Sequence, residues 1–238
     1  MQHLGHTRSS WKGSHALLTP DTFVRAPLPG MTNATAMVHA APVMGAGFTE
    51  YSVEFEASGT MAATQEQRFV YVLDGEIRIG DRAMTKDHYA YLPPGDTRAV
   101  TASTKAKAIV IEKPYVPLEG EPAALFGDER QLAPHPLMGD DALAVRTMIP
   151  TDPAYDMAVN TMTFEPGSSL PMVEIHVMEH GLMMLDGGGI YRLDEDWYPV
   201  TAGDFIWMGP YCPQWFGALG KTSARYLIFK DWNRHPLA

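Results

Sequence analysis

The stretch Phe69-Val-Tyr-Val-Leu-Asp-Gly-Glu-Ile-Arg-Ile79 contains the tripeptide Leu73-Asp74-Gly75, which returns 112 residues later as Leu185-Asp186-Gly187. Each copy follows an apolar run, and each precedes a second matching block. The two blocks are Thr85-Lys-Asp87 with an aromatic-rich stretch and Pro93-Pro-Gly95, and Thr201-Ala-Gly-Asp204 with Phe205-Ile-Trp-Met-Gly-Pro210. The sequence therefore predicts two units of roughly 110 residues that share one structural plan.

Short strands dominate the pattern around these repeats. Residues alternate between apolar and polar in Glu76–Ile79, which indicates a half-buried strand, whereas Ala108–Glu112 and Tyr226–Lys230 indicate more fully buried strands. The 21 Gly and 19 Pro are spread along the 238 residues and favour many turns over long helices. We expect an all-β fold of two barrel or sandwich units. The alternative is one irregular β domain in which Leu-Asp-Gly occurs twice by chance.

The boundary between the units is expected in a Pro-rich connector. This connector contains three prolines and interrupts the strand pattern; it reads Lys113-Pro-Tyr-Val-Pro-Leu-Glu-Gly-Glu-Pro122. We place the first unit at residues 1–125 and the second at residues 126–238.

Composition excludes several classes of protein. The 28 acidic and 18 basic residues give a formal charge of −10, which opposes binding to nucleic acid. No apolar run reaches the roughly 18 residues that a membrane span needs, and Met1–Ser14 has no apolar segment typical of a secretion signal. Cys212 is the only cysteine, so neither an internal disulfide nor a cysteine zinc site can form. We expect a cytoplasmic protein without nucleic-acid or membrane partners.

The second unit contains the motif Glu174-Ile-His-Val-Met-Glu-His180. On a strand, Glu174 and His176 would share one face, while Ile175 and Val177 would point into apolar packing. A carboxylate and two imidazoles inside a small barrel predict a site for a divalent metal. Gln214 follows the Gly209-Pro210 turn and is our candidate for the fourth ligand. The alternative is an ordinary strand in which His and Glu pair with each other in a polar core.

The first unit offers no equivalent set of ligands. Shifted back by 112 residues, the three motif positions fall on Ala62, Thr64 and Arg68, and the Gln214 position falls on Thr97 or Arg98. None of these combinations is suited to holding a metal. We therefore predict one metal site, in the second unit, and a metal-free structural role for the first.

The chain resembles a protein with two tandem cupin barrels, the double-stranded β-helix or jelly-roll fold. The positions that carry this resemblance are Gly167, His176, His180, Gly187 and Gly203, which have nearly the spacing of the cupin pattern. Three positions depart from that pattern. Glu174 stands at the first ligand place, His180 at the usual Glu place and Gln214 at the place of the last His.

This altered set is similar to that of one bicupin family, the (S)-ureidoglycine aminohydrolases. Four other stretches also resemble that family: His15–Asp21, Lys113–Gly120, Tyr191–Asp194 with Trp197, and Lys230–Arg234. The resemblance implies a Mn(II) cofactor bound by Glu174, His176, His180 and Gln214. It further implies that the residues facing the substrate are Glu174, Tyr191, Tyr226 and Lys230.

The same resemblance implies the reaction, which is hydrolysis of (S)-ureidoglycine to (S)-ureidoglycolate and ammonia in allantoin and purine catabolism. Tyr226 and Lys230 are four residues apart and would share one strand face. A lysine inside an apolar barrel has a lowered pKa and can act as a base, so we expect Lys230 to be catalytic. The alternatives are a surface Lys230 paired with Asp231, and tyrosines at 191 and 226 that merely fill the core.

Two other functions stay open at this point. Two His and one carboxylate also suit iron, so another metal-dependent cupin enzyme of the dioxygenase type is one alternative. A non-catalytic cupin that binds a small acid is the other. In each case the expected partner is a small molecule. Because bicupins commonly associate, we also expect a homo-oligomer.

Overall fold

The computed structural model describes residues 5–234, and it is about 53% strand and 4% helix. This content confirms the expected all-β class. The helices are three single 3-10 turns at Pro20–Thr22, Pro42–Met44 and Glu129–Gln131. Within residues 5–234, no helix has the length and apolar character needed to cross a membrane.

The strands are named here in chain order. They are β1 (Ser10–Trp11), β2 (His15–Leu18), β3 (Met31–Ala40), β4 (Thr49–Met61), β5 (Gln67–Asp74), β6 (Glu76–Ile79), β7 (Arg82–Thr85), β8 (His88–Leu92), β9 (Val100–Ala102), β10 (Ala106–Lys113), β11 (Leu125–Asp128), β12 (His135–Leu137), β13 (Asp140–Thr147), β14 (Met157–Phe164), β15 (His180–Asp186), β16 (Gly188–Leu193), β17 (Asp196–Thr201), β18 (Phe205–Met208), β19 (Gln214–Ala218) and β20 (Ala224–Asp231).

The chain forms two compact units whose bounds differ from the expected 1–125 and 126–238. The first, here called the C-terminal unit, comprises the chain up to Phe23, Pro134–Thr147 and Ala158–Asp231. The second, here called the N-terminal unit, comprises Val24–Ala133, Met148–Met157 and the chain from Trp232 onward. The difference has a physical cause at the start of the chain, because β2 hydrogen-bonds to β18 rather than to a strand of the N-terminal unit.

The C-terminal unit consists of two antiparallel sheets around one apolar core. Eight strands follow the order β1-β2-β18-β15-β20-β14-β13-β12, and three follow the order β17-β16-β19. Leu182 and Tyr226 of the larger sheet and Phe216 of the smaller sheet belong to the same buried cluster. Because both sheets contribute to this cluster, the residues that point into it line the interior of the unit.

The N-terminal unit is built on the sheet order β11-β8-β5-β10-β4-β9-β6-β7, with β3 paired to β4. Its core is apolar and includes Val53, Val70 and Ile77. Arg68 forms an ion pair with Glu112 at 2.6 Å, so its charge is neutralised within this unit.

The repeated Leu-Asp-Gly tripeptide has the same local function in both units. Gly75 and Gly187 have φ angles of +73° and +66°, which L side chains rarely adopt. A Cβ at Gly75 would lie 2.3 Å from the Lys105 carbonyl oxygen, and one at Gly187 would lie 2.5 Å from that of Ser223. Each glycine therefore permits both a left-handed turn and a close approach of the backbone at the start of β10 or β20.

Replacing Gly187 tests this explanation. Gly187→Ala combines left-handed strain of about 1–2 kcal/mol with an overpacking cost of about 1–3 kcal/mol against Ser223. The matched control is Gly167→Ala, since Gly167 has φ +83° but nothing within 4 Å of its Cβ position. Chemical denaturation should show that Gly187→Ala loses clearly more free energy of unfolding than Gly167→Ala. Equal losses would contradict the role of the close approach.

Candidate metal centre

Glu174 and Gln214 are held side by side by their own backbones. The Glu174 amide donates to the Gln214 carbonyl at 2.8 Å, and the Gln214 amide donates to the Glu174 carbonyl at 2.9 Å. Such a hydrogen-bonded antiparallel pair places both side chains on the same face, with Cβ atoms about 4.5–5.5 Å apart. Gln214 is the first residue of β19, and its side chain is buried. The carboxylate and the carboxamide are therefore neighbours, as the sequence predicts.

The expected strand from Glu174 to His180 is wrong. Only Glu174 forms a bridge, Val177 and Met178 lie in a bend, and the next strand begins at His180. The side chain of Ile175, expected in apolar packing, is 60% exposed. The physical reason is that Glu174 bonds to the three-stranded sheet, whereas His180 pairs within the eight-stranded sheet. The chain has to cross between the two, which a single straight strand cannot do.

The crossing segment brings the two imidazoles together. The His176 carbonyl accepts a hydrogen bond from the Tyr211 amide at 2.6 Å, which fixes its backbone to the turn before Gln214. The His176 ring lies edge-on to the ring of His180, with centroids 5.2 Å apart. Its Nε2 is 3.1 Å from Oε2 of Glu174, so these two side chains form a hydrogen bond.

His180 is the most deeply buried member of the group. It pairs with Met208 on one side and with Lys230 on the other. Burial lowers its pKa well below the ordinary 6.5, and the positive charges of Lys230 and His176 act in the same direction. The ring is therefore neutral at physiological pH, which is the form that binds metals. Neither of its ring nitrogens makes a hydrogen bond of good geometry, although the backbone of Phe229 and of Glu179 lies close enough to favour a proton on the ring.

The residue before His180 fixes the start of β15. Glu179 is buried, and its Oε2 accepts a hydrogen bond from Nε1 of Trp207 at 3.1 Å. Glu179 is thus a structural residue, while the adjacent His180 points into the interior beside Leu182 and Met184 of the core cluster.

Three polar side chains predicted to face a substrate lie in the same interior. The hydroxyl of Tyr191 donates to Oε1 of Gln214 at 3.2 Å. Burial raises the pKa of Tyr191 and of Tyr226, so both hydroxyls keep their protons at neutral pH. Burial lowers the pKa of Lys230 from its ordinary 10.5, and the carboxylate of Glu174 opposes this shift. Lys230 is partly buried and lies opposite His180, so it is not a fully exposed surface lysine.

These residues fit a divalent metal by their chemistry. Within residues 5–234, no three His, Cys, Asp or Glu side chains form a ready-made metal cluster, and His176 instead hydrogen-bonds to Glu174. However, the neutral ring of His180 has one buried acceptor nitrogen without a hydrogen-bond partner, which costs free energy unless something binds it. Two imidazoles, a carboxylate and an amide oxygen suit Mn²⁺ or Fe²⁺ better than a thiolate-seeking metal.

One polar residue of the interior is missed by the sequence analysis. Asn160 lies in β14, and its Oδ1 is shielded from solvent without a hydrogen-bond partner. The signal that could have found it is its alternation with Met162 and Phe164, both in the core cluster.

Comparison with known proteins gives concordant matches. A family model described as "Cupin domain" matches residues 160–230. The (S)-ureidoglycine aminohydrolase of Arabidopsis thaliana is 38% identical over 98% of this chain and 80% of its own length. The (S)-ureidoglycine aminohydrolase of Escherichia coli is 34% identical over 93% of this chain and 90% of its own. The crystal structure of the E. coli protein Ylba has a TM-score of 0.85 at 31% identity and covers 96% of each chain. The expected cupin fold is thereby confirmed.

Replacing His180 tests whether its ring nitrogens serve as metal ligands. His180→Leu removes two unpartnered buried nitrogens at similar volume, so the melting temperature of the metal-free protein should stay constant or rise. The increase in melting temperature caused by added Mn²⁺ should disappear. Differential scanning calorimetry with and without chelator measures both effects.

The matched control for this experiment is His15→Leu. His15 is equally buried, but it makes hydrogen bonds to Tyr198 at 2.9 Å and to Ser14 at 3.0 Å. His15→Leu should therefore lower the melting temperature of the metal-free protein. An equally large decrease in His180→Leu would show that His180 has a structural role only.

Proposed function

The chain belongs to the (S)-ureidoglycine aminohydrolase family, and from this membership we propose that it hydrolyses (S)-ureidoglycine to (S)-ureidoglycolate and ammonia in allantoin and purine catabolism. The observation that carries the proposal is the convergence of Glu174, His176, His180 and Gln214 in the interior that also contains Lys230. This arrangement combines candidate metal ligands with a partly buried base, as the release of ammonia from a substituted carbon requires.

The proposed cofactor is Mn(II), held by Glu174, His176, His180 and Gln214. The neutral, unpartnered ring of His180 supports this assignment, as does the mixed oxygen and nitrogen donor set. When bound, the ion would supply a Lewis acid that anchors the substrate and polarises the bonds of the reacting carbon. The hydrogen bond between Glu174 and His176 is the one contact that metal binding would replace.

Lys230 is proposed as the group that moves protons. In the overall reaction a C–O bond forms from water, the C–N bond to the amine breaks, and the amine leaves as ammonia. Because burial lowers its pKa, Lys230 has an unprotonated fraction that can accept a proton from the attacking water. The same proton can then pass from Nζ to the leaving amine, so that the lysine returns to its starting state.

The two tyrosines and Glu174 are proposed to orient the substrate. Tyr191 and Tyr226 retain their hydroxyl protons because burial raises their pKa, so they can donate hydrogen bonds to substrate oxygens. Both rings are at most 1% exposed, and they exclude bulk water from the interior. Excluding water strengthens each hydrogen bond made to the substrate.

A structural role is proposed for the N-terminal unit, and homo-oligomeric association remains a prediction. The interior of the N-terminal unit contains aliphatic residues such as Val53, Val70 and Ile77. Arg68, at the position corresponding to His180, is engaged with Glu112. These features support a metal-free scaffold.

An assay of ammonia release from (S)-ureidoglycine by the Mn(II)-loaded protein tests the proposal. Lys230→Met should lower kcat about 10²–10⁴-fold because the proton carrier is lost. His176→Ala should lower both the Mn content in elemental analysis and the activity. The matched control is Lys221→Met, because Lys221 is an exposed lysine of the same unit and should not affect kcat.

Two results would overturn the proposal. Full activity in both Lys230→Met and His176→Ala would remove these residues from the reaction. Consumption of O₂ in step with substrate loss would instead indicate a dioxygenase.

A further inference from the structure

Asn160 is a partly buried polar residue that the proposed mechanism does not use. It lies in β14, and its carboxamide oxygen is shielded from solvent and has no hydrogen-bond partner. A buried acceptor without a partner costs free energy, and such groups in native structures often have a partner that arrives later. A donor on a bound ligand could therefore supply the missing hydrogen bond to this oxygen.

Asn160 faces the interior of the C-terminal unit. Side chains alternate along a strand, so Asn160 points to the same face as Met162 and Phe164, which belong to the buried core. On the neighbouring strand β13, its partner is Thr147, and the next inward pair is Val145 with Met162. Since the pairing of β13 with β14 has no register shift, this orientation holds along the whole strand.

The neighbouring strand β20 places Asn160 beside the proposed catalytic residues. The Trp232 amide donates to the Asp156 carbonyl at 3.1 Å, directly beyond the ends of β20 and β14. Continued as an antiparallel ladder, this pairing sets Met162 opposite Tyr226, in agreement with the 3.4 Å contact between the Tyr226 hydroxyl and Sδ of Met162. Asn160 then lies opposite Ile228.

Tyr226 and Lys230 are the diagonal neighbours of Asn160 on the same face. Diagonal cross-strand neighbours have Cα atoms about 7–8 Å apart, so one small molecule could contact both side chains. Lys230 in turn is opposite His180. Asn160 is therefore one strand away from the proposed acid–base group, on the side of β20 opposite to His180.

Several other acceptors of this interior are already engaged. Oε1 of Gln214 accepts a hydrogen bond from the Tyr191 hydroxyl, and Oε2 of Glu174 is hydrogen-bonded to Nε2 of His176. A ureido group carries N–H donors as well as a carbonyl, so its N–H groups need acceptors, and Oδ1 of Asn160 is an acceptor without a partner.

We propose that Asn160 is a further substrate-binding residue, whose carboxamide oxygen accepts a hydrogen bond from a ureido N–H of the substrate. The inference rests on the proposed function and adds the determinant by which the enzyme distinguishes ureido compounds from simple hydroxy acids and amino acids. A neutral amide suits this role, because it supplies an acceptor without adding a negative charge beside the substrate carboxylate. Sites built to pair a polar substrate group discriminate strongly against analogues that lack it.

The test uses Asn160→Leu, which keeps the volume but removes the acceptor. With (S)-ureidoglycine, KM should rise at least about 10-fold, as expected for the loss of one buried hydrogen bond to the substrate. Isothermal titration with N-carbamoylglycine, which has the ureido group and the carboxylate but no amine, should show a Kd weakened by a similar factor. Binding of glycolate, which has no ureido group, should be equal in the variant and the original protein.

The melting temperature separates substrate binding from a structural role. Because Oδ1 has no partner in the protein, Asn160→Leu should leave the melting temperature unchanged or raise it. The matched control is Thr163→Val in the same strand, since Thr163 points to the opposite face and should alter neither KM nor Kd.

The outcomes distinguish this inference from the proposed function. Unchanged KM and an unchanged Kd for N-carbamoylglycine in Asn160→Leu would overturn the inference while leaving the activity intact. A lowered melting temperature with equal losses for N-carbamoylglycine and glycolate would likewise overturn it, in favour of a structural role. Absence of ammonia release by the original protein would overturn the proposed function, and N-carbamoylglycine binding would then decide the role of Asn160 alone.

Discussion

The two backbone hydrogen bonds between Glu174 and Gln214 are the constraint on which the arrangement of the interior depends. They attach the start of the crossing segment to β19, so the carboxylate and the carboxamide are positioned by the main chain and not by mutual attraction. The hydrogen bond from the Tyr211 amide to the His176 carbonyl attaches the next part of the segment to the turn before β19. From there the chain turns inward to His180, whose pairing with Met208 and Lys230 fixes the far end. Four candidate ligands therefore depend on a segment that is tied at both ends and bent between them.

Burial favours the neutral form of four titratable side chains in this interior. It lowers the pKa of His180 and Lys230 and raises that of Tyr191 and Tyr226. A neutral imidazole is available to a metal, a neutral amine can accept a proton, and a neutral phenol can donate one. The apolar packing that stabilises the unit thus also sets the protonation states that the proposed reaction needs.

The fold was largely readable from local sequence patterns, because turns and strand alternation are local. The two Leu-Asp-Gly copies are an example, since each glycine is required by the same left-handed turn and the same close approach. The straight strand across Ile175 and Val177 was wrong, because alternation does not reveal which sheet a residue joins. Asn160 was missed for a related reason. The distance of a single amide from the site can be judged only when its cross-strand neighbours are known. The candidate metal ligands could be read from the motif itself, whereas the substrate-facing residues came from the family resemblance.

The pairing of β2 with β18 joins the beginning of the chain to a strand made near its end. His15 and Leu18 have their partners at Met208 and Phe205, roughly 190 residues further along. During synthesis on the ribosome, at about 5–20 residues per second, the first strand must wait some tens of seconds before its partner emerges. The unit that contains the candidate metal centre therefore cannot close around β2 until β18 has been made, although β2 itself is made early. Its β18 edge would stay open in any fragment that lacks the first 18 residues, and an open edge favours aggregation.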